Sequence, residues 1–207
     1  MMSNCRFLAS LGMTARLIVL ALLLAPITAG RAQQHTMGGM GHIVVPKGAG
    51  YTVADVEFMQ GMIAHHAQAI FMSRLAEARK ANPRVLKLAN KIDQSQVAEI
   101  RIMQDWLRSN GQFAPDTSAG RTMTMPGMLT EAQLKELDAA TGVGFDRAFL
   151  NLMIQHHEGA LKMVEDLFKA PRGGQEVDVG VFASDVVTVQ TAEIGVMRQL
   201  LSQLPDK

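Results

Sequence analysis

Apolar residues return at helical spacing along four long stretches of the chain. The first begins near Val53, behind Thr52 as an N-cap, and fades near Lys80 before Asn82-Pro83 breaks it. The second runs from about Arg84 to Ser109, with Val85, Leu88, Ile92, Ile100, Met103 and Leu107 on one side and Asn110-Gly111 as its stop. Thr130-Glu131-Ala132-Gln133 has the form of a capping box and predicts a short helix over 130–140. Thr141-Gly142-Val143-Gly144 reads as an interruption, after which a third long helix is expected from about Phe145 to Lys169. Pro171-Arg172-Gly173-Gly174 ends it, and a fourth follows from about Val177 to Leu204. Residues 33–50 read as a flexible arm and 111–129 as a linker. No strand stands out, although the β-branched run Val177 to Val189 is ambiguous by propensity alone.

The pattern repeats. Asp55, Phe58, Met62, Ile63, His65, His66, Ala69 and Met72 match Asp146, Phe149, Met153, Ile154, His156, His157, Ala160 and Met163 at a constant offset without a gap. The second helix of each half matches too: Gln96, Glu99, Ile100 and Met103 against Gln190, Glu193, Ile194 and Met197. The unit is a helical hairpin used twice. Neither copy can bury its apolar stripe alone, so the expected fold is all-α, a four-helix bundle of hairpins spanning about 52–110 and 145–205 within residues 51–207.

Composition narrows the setting. Basic Arg6 and Arg16, an apolar run from Leu17 to Ala29 and small residues around Ala32 predict a signal peptide over 1–32, and hence export, with no stable membrane span after cleavage. Its removal leaves 17 basic against 19 acidic residues, no surplus for nucleic acid. The single cysteine, Cys5, lies inside the signal, so thiolate metal sites and disulfides are excluded from the mature chain. Fifteen methionines, twelve of them after the signal, are the outlier.

Candidate chemistry follows from histidine and methionine. All six histidines fall in donor-rich segments: His65 and His66, His156 and His157, and His35 and His42 beside Met37 and Met40. Helical geometry places adjacent histidines about 100° apart, so His65 and His66 do not readily serve one ion. Met62, Met72, Met153 and Met163 share their helix faces, and Glu99 and Glu193 are carboxylates on faces expected to be buried. Met123, Met125 and Met128 crowd the linker, where methionine is expected to have little core to fill. Imidazole with thioether, without thiolate, favours copper, Cu(I) above all. Asp55 and Asp146 read first as helix-capping charges.

The motifs Phe58-Met59-x-x-Met62-Ile63-x-His65-His66, Gln96-x-x-Glu99-Ile100-x-x-Met103, Met125-Pro126-Gly127-Met128 and Phe149-Leu150-x-x-Met153-Ile154-x-His156-His157 resemble the bacterial family called domain of unknown function 305, over about residues 51–202. The resemblance implies a ferritin-like bundle, a periplasmic location and, for some members, copper binding through His and Met. The expected role is non-enzymatic copper sequestration or trafficking. A structural or partner-binding bundle is the alternative, and a ferritin-like di-metal oxidase a lesser one, since no Glu-x-x-His occurs. Beyond the metal ion, a second copy of the chain or a copper-exchange protein are the partner classes considered.

Overall fold

A computed structural model describes residues 42–121 and 123–205. The expected signal peptide and His35, Met37 and Met40 of the arm lie outside them. The described residues form five α-helices and one 3-10 helix, with no strand. They are α1 (Val53–Ala78), α2 (Pro83–Ser109), the 3-10 helix (Thr117–Arg121), α3 (Glu131–Ala139), α4 (Gly142–Lys169) and α5 (Val177–Leu201). The valine-rich run belongs to α5. Its buried residues Val179, Phe182, Ala183 and Val186 recur every three or four positions, and that period outweighs β propensity.

The helix starts are chemically explicit. The Asp55 carboxylate accepts from the Thr52 backbone N–H at 2.7 Å while Thr52 accepts from Asp55 N, a reciprocal capping box. Thr130 and Gln133 repeat the device for α3. Pro83 occupies the first turn of α2 behind Asn82, whose side chain accepts from Arg84 N. α4 departs from the expected start at Phe145 by beginning at Gly142. Gly142 takes φ +57° and donates its N–H to Arg79 O at 2.8 Å, so the glycine segment that reads as an interruption is the anchored first turn.

α1 packs along α2, α4 along α5, and α1 against α4, while α2 and α5 touch only lightly. α1 and α4 run antiparallel, and the two equivalent aspartates fix this. Asp55, at the start of α1, accepts from Gly174 N beyond the end of α4 at 2.7 Å. Asp146, near the start of α4, accepts from Asn82 N beyond the end of α1 at 3.0 Å. Each therefore ties down the loop of the opposite hairpin. Asp55 also caps its own helix, but Asp146 lies four residues inside α4 and does not, which corrects the capping expectation for it. Burial raises the Asp146 carboxyl pKa, opposed by the Asn82 N–H.

Two apolar clusters hold the assembly. One joins Phe58, Met62, Ile63, Met103, Trp106, Met163 and Phe182, and the other Met72, Ile92, Phe145, Phe149, Met153 and Met197. Each large side chain fully buried contributes about 1.5–3 kcal/mol. Every residue of α1 from Phe58 to Ile70 is buried, because the linker covers the side its helical neighbours leave open.

Candidate metal centre

Residues at equivalent places on α1 and α4 meet where the helices cross. The rings of His65 and His156 stand 3.7 Å apart between centroids, tilted by 37°, with neither exposed. His66 and His157, turned about 100° further round their helices, point to their own hairpins. His66 Nε2 lies 2.6 Å from Glu99 Oε2 and His157 Nε2 2.8 Å from Glu193 Oε2. Adjacent rings are 6.3 and 6.4 Å apart. A polar row of Glu99, His66, His65, His156, His157 and Glu193 thus crosses the interior.

The row is incompletely satisfied. His65 Nε2 donates to Pro126 O at 3.2 Å, because a carbonyl can only accept. In the neutral ring the lone pair then lies on Nδ1, which is buried without a partner, as are both ring nitrogens of His156. One turn along their helices from Glu99 and Glu193, Gln96 Oε1 and the whole Gln190 amide are also buried without partners. Each such group costs about 1–3 kcal/mol. Burial, and then the charges of neighbouring histidines, hold both stacked rings well below the ordinary histidine pKa, so both are neutral near pH 7.

The two His–Glu pairs differ. Glu193 is 3% exposed and has Lys91 Nζ 3.4 Å from its other oxygen, whereas Glu99 is 23% exposed. Burial pushes the Glu193 carboxyl up, but the His157 hydrogen bond and the charges of His157 and Lys91 overcome it and take the pKa below the usual range.

The linker completes the site. The side-chain amide of Gln68 is bonded twice to Leu129, donating to its O at 3.1 Å and accepting from its N at 2.7 Å. A Cβ on Gly159 would stand 2.5 Å from Gly127 Cα, so the Met125-Pro126-Gly127-Met128 turn lies flat on α4 only because position 159 is glycine. This explains why the repeat breaks at Gln68 and Gly159: one copy clamps the linker and the other makes room for it. Met123 and Met125 are buried, at 4% and 7% exposure. Linker methionines therefore do fill core, against expectation. A Cβ on Gly61, one turn before His65, would meet Met125 Sδ at 3.1 Å and Met163 Cε at 3.4 Å, so these two thioethers gather over that glycine.

The remaining candidates are dispersed. Met62 and Met153 are fully buried three residues before His65 and His156. Met62 sits with Met163 in one apolar cluster, and Met153 with Met72 in the other. Met128 is half-buried and His42 exposed. Sequence reasoning missed Gln68, Pro126 and Lys91. The glutamine-for-glycine mismatch in the repeat was the available signal for the first.

A metal sits in the plane of an imidazole, on a nitrogen lone pair. Stacked rings present faces to each other, so His65 or His156 must turn before both can hold one ion. Among the described residues no group of three or more His, Cys, Asp and Glu is placed to hold a metal. The thioethers placed nearest this part of α1 are those of Met125 and Met163, gathered over Gly61 one turn before His65.

The family model described as "Domain of unknown function (DUF305)" matches residues 55–201. Comparison with proteins of curated function finds no match. A DUF305 fragment from Deinococcus radiodurans is 32% identical, with TM-score 0.64, covering 74% of this chain and 99% of its own. A DUF305 protein from Streptomyces coelicolor, described as secreted, is 30% identical, with TM-score 0.62, covering 72% of this chain and 93% of its own. CopM in its Cu(II)-bound form is 28% identical, with TM-score 0.60, covering 72% of this chain and 95% of its own. CopM also has solved Cu(I)- and Ag-bound forms.

Proposed function

The chain belongs to the DUF305 family, and from that premise we propose that it is an exported, non-enzymatic protein that sequesters or passes on copper through imidazole and thioether donors. The observation that carries this is the buried stack of His65 and His156, with three ring nitrogens lacking any partner, one turn from the gathered thioethers of Met125 and Met163. Neutral imidazole and thioether are soft or borderline donors, and neither repels a cation. Two imidazoles and two thioethers match Cu(I) better than a hard divalent ion. The copper- and silver-bound forms of CopM support the same cargo. The Streptomyces relative and the N-terminal pattern support export, and we read the destination as the periplasm. We read the paired hairpins as a ferritin-like four-helix bundle in which the carboxylate cage of an oxidase is replaced by these softer groups.

A Cu(I) titration of the signal-less protein against a competing chelator tests this. His65→Ala/His156→Ala is expected to weaken binding at least tenfold, about 1.4 kcal/mol or more. Equal affinity in the two proteins would refute the assignment. A purely architectural role is the second reading, favoured by the His66–Glu99 and His157–Glu193 bonds, which already satisfy Nε2 of both outer histidines.

A further inference from the structure

On the copper reading above, we propose that residues 123–129 of the linker form a strap that must lift for the ion to reach His65, and that Gln68 is the latch that sets how often it lifts. His65 and His156 have no exposed surface and Met125 is 7% exposed, so an ion cannot reach them while the bundle is closed. The Nε2 edge of His65 meets Pro126 O of the strap. Helix α4 on the other side is packed into the core, whereas the strap is a loop, and loops that cover binding sites are the segments of lowest local stability. Met125 rides on the strap. Lifting presents its thioether to the ion, and closing returns it to Met163 over Gly61.

The strap is built to move as one piece between two fixed points. Met125, Pro126, Gly127 and Met128 have the form of a type II turn, with Met128 N–H donating to Met125 O at 3.2 Å and Gly127 at φ +76°. Before it, Gly120 of the 3-10 helix lies so near α1 that a Cβ there would stand 2.9 Å from Ala64 O. After it, the Thr130–Gln133 capping box starts α3. Side chains of α1 and α4 hold the strap down between these points. His65 Nε2 donates to Pro126 O at 3.2 Å, and Gln155 Nε2 to Gly127 O at 3.4 Å. The first bond breaks when the ring turns to take an ion, and the second is long and exposed. Gln68 alone grips twice, through both backbone groups of Leu129 at 3.1 and 2.7 Å, and both bonds are buried from competing water. This latch is the same in the empty and the loaded closed forms. Weakening it therefore raises the rates of entry and exit by one factor and leaves affinity unchanged, since a contact common to both forms has no differential effect on binding.

Stopped-flow exchange of Cu(I) between the signal-less protein and a chromophoric chelator reads both rates and tests the latch. Gln68→Leu removes both bonds and keeps a side chain that packs in the same place. Entry and exit are each expected to quicken about tenfold or more, the worth of two net hydrogen bonds. Kd should stay within about twofold of the wild type, which also shows that the variant keeps its site folded. In the metal-free protein, hydrogen peroxide should oxidise Met125 faster by a similar factor, followed by mass spectrometry. Gln60→Leu is the control: this glutamine is buried on the same helix and donates to Phe113 O at 2.7 Å, in the linker before the 3-10 helix, so its loss should leave both rates and the oxidation of Met125 unchanged. Faster release alone, with Kd weakened in proportion, would make Gln68 a structural support and overturn the proposal. Equal rates in Gln68→Leu and the wild type would also overturn it and place the entry elsewhere along the row. A wild type that takes up no Cu(I) would refute the copper reading itself and this role for Gln68 with it, while the peroxide assay reports the lifting of the strap without metal.

Discussion

Gly159→Ala is a small change with a large expected effect. The added methyl would overlap Pro126 O and stand 2.5 Å from Gly127 Cα, both backbone atoms of a turn held at its other side by the two Gln68–Leu129 hydrogen bonds. A flexible side chain could move aside, but this backbone cannot without breaking bonds. Overpacking of this kind costs about 1–3 kcal/mol. Lifting the turn also removes the acceptor of His65 Nε2, leaving a buried donor unpaired for about 1–3 kcal/mol more. The combined destabilisation is expected at about 2–6 kcal/mol, or roughly 4–24 °C in Tm for a chain of this size. Gly144→Ala is the matched control: a Cβ there meets nothing, and the helical preference for alanine should stabilise by about 0.5–1 kcal/mol. Urea unfolding of both variants beside the wild type measures this. Equal midpoints for Gly159→Ala and wild type would refute the close apposition of linker and α4.

Further outcomes follow from this row of residues and from the methionines beside it. His65 and His156 have folded pKa values below the ordinary 6.5, so the unfolded chain binds more protons over that interval; stability is complete above about pH 6.5 and falls as pH drops below it, by up to about 1.4 kcal/mol per pH unit per histidine, and a urea midpoint constant from pH 7.5 to 5 would contradict this. Glu193, with its lowered pKa, adds a contribution present above its unfolded pKa and lost as pH falls through the carboxylate range. His157→Ala is expected to cost up to about 3–5 kcal/mol, because it leaves a carboxylate only 3% exposed with Lys91 as its remaining partner, whereas His66→Ala should cost less because Glu99 reaches solvent; equal losses in denaturant unfolding would show the pairs to be equivalent. Gly61→Ala meets only flexible methionine ends, so it should leave Tm within a few degrees while lowering Ag(I) affinity in a competition titration, and unchanged affinity would remove Met125 and Met163 from the site.

The repeat made much of this legible. Helical periodicity located all four long helices, and the constant offset of the His-His pairs predicted that His65 and His156 would occupy equivalent places. Glu99 and Glu193 were readable as carboxylates needing partners, and His66 and His157 are those partners, but only Glu193 is buried, since Glu99 keeps 23% of its side chain exposed. What stayed hidden depends on contacts between distant segments. Nothing local to Gln68 says that it grips Leu129, and nothing local to Met123 or Met125 says that their loop lies over α1 rather than in water. Asp146 misled because an acidic residue near a helix start looks the same whether it caps its own helix or holds Asn82 from another. Lys91 escaped notice because an exposed lysine on a helix is ordinary until Glu193 is known to lie 3.4 Å away.

Capture of a soft ion by stacked imidazoles and gathered thioethers is tested most directly by X-ray absorption at the copper edge on the Cu(I)-loaded, signal-less protein. The expected first shell contains both nitrogen and sulfur, with the sulfur contribution lost in Met125→Leu/Met163→Leu and the nitrogen contribution reduced in His65→Ala/His156→Ala. A shell of light atoms only, or one unaltered by both double substitutions, would contradict it.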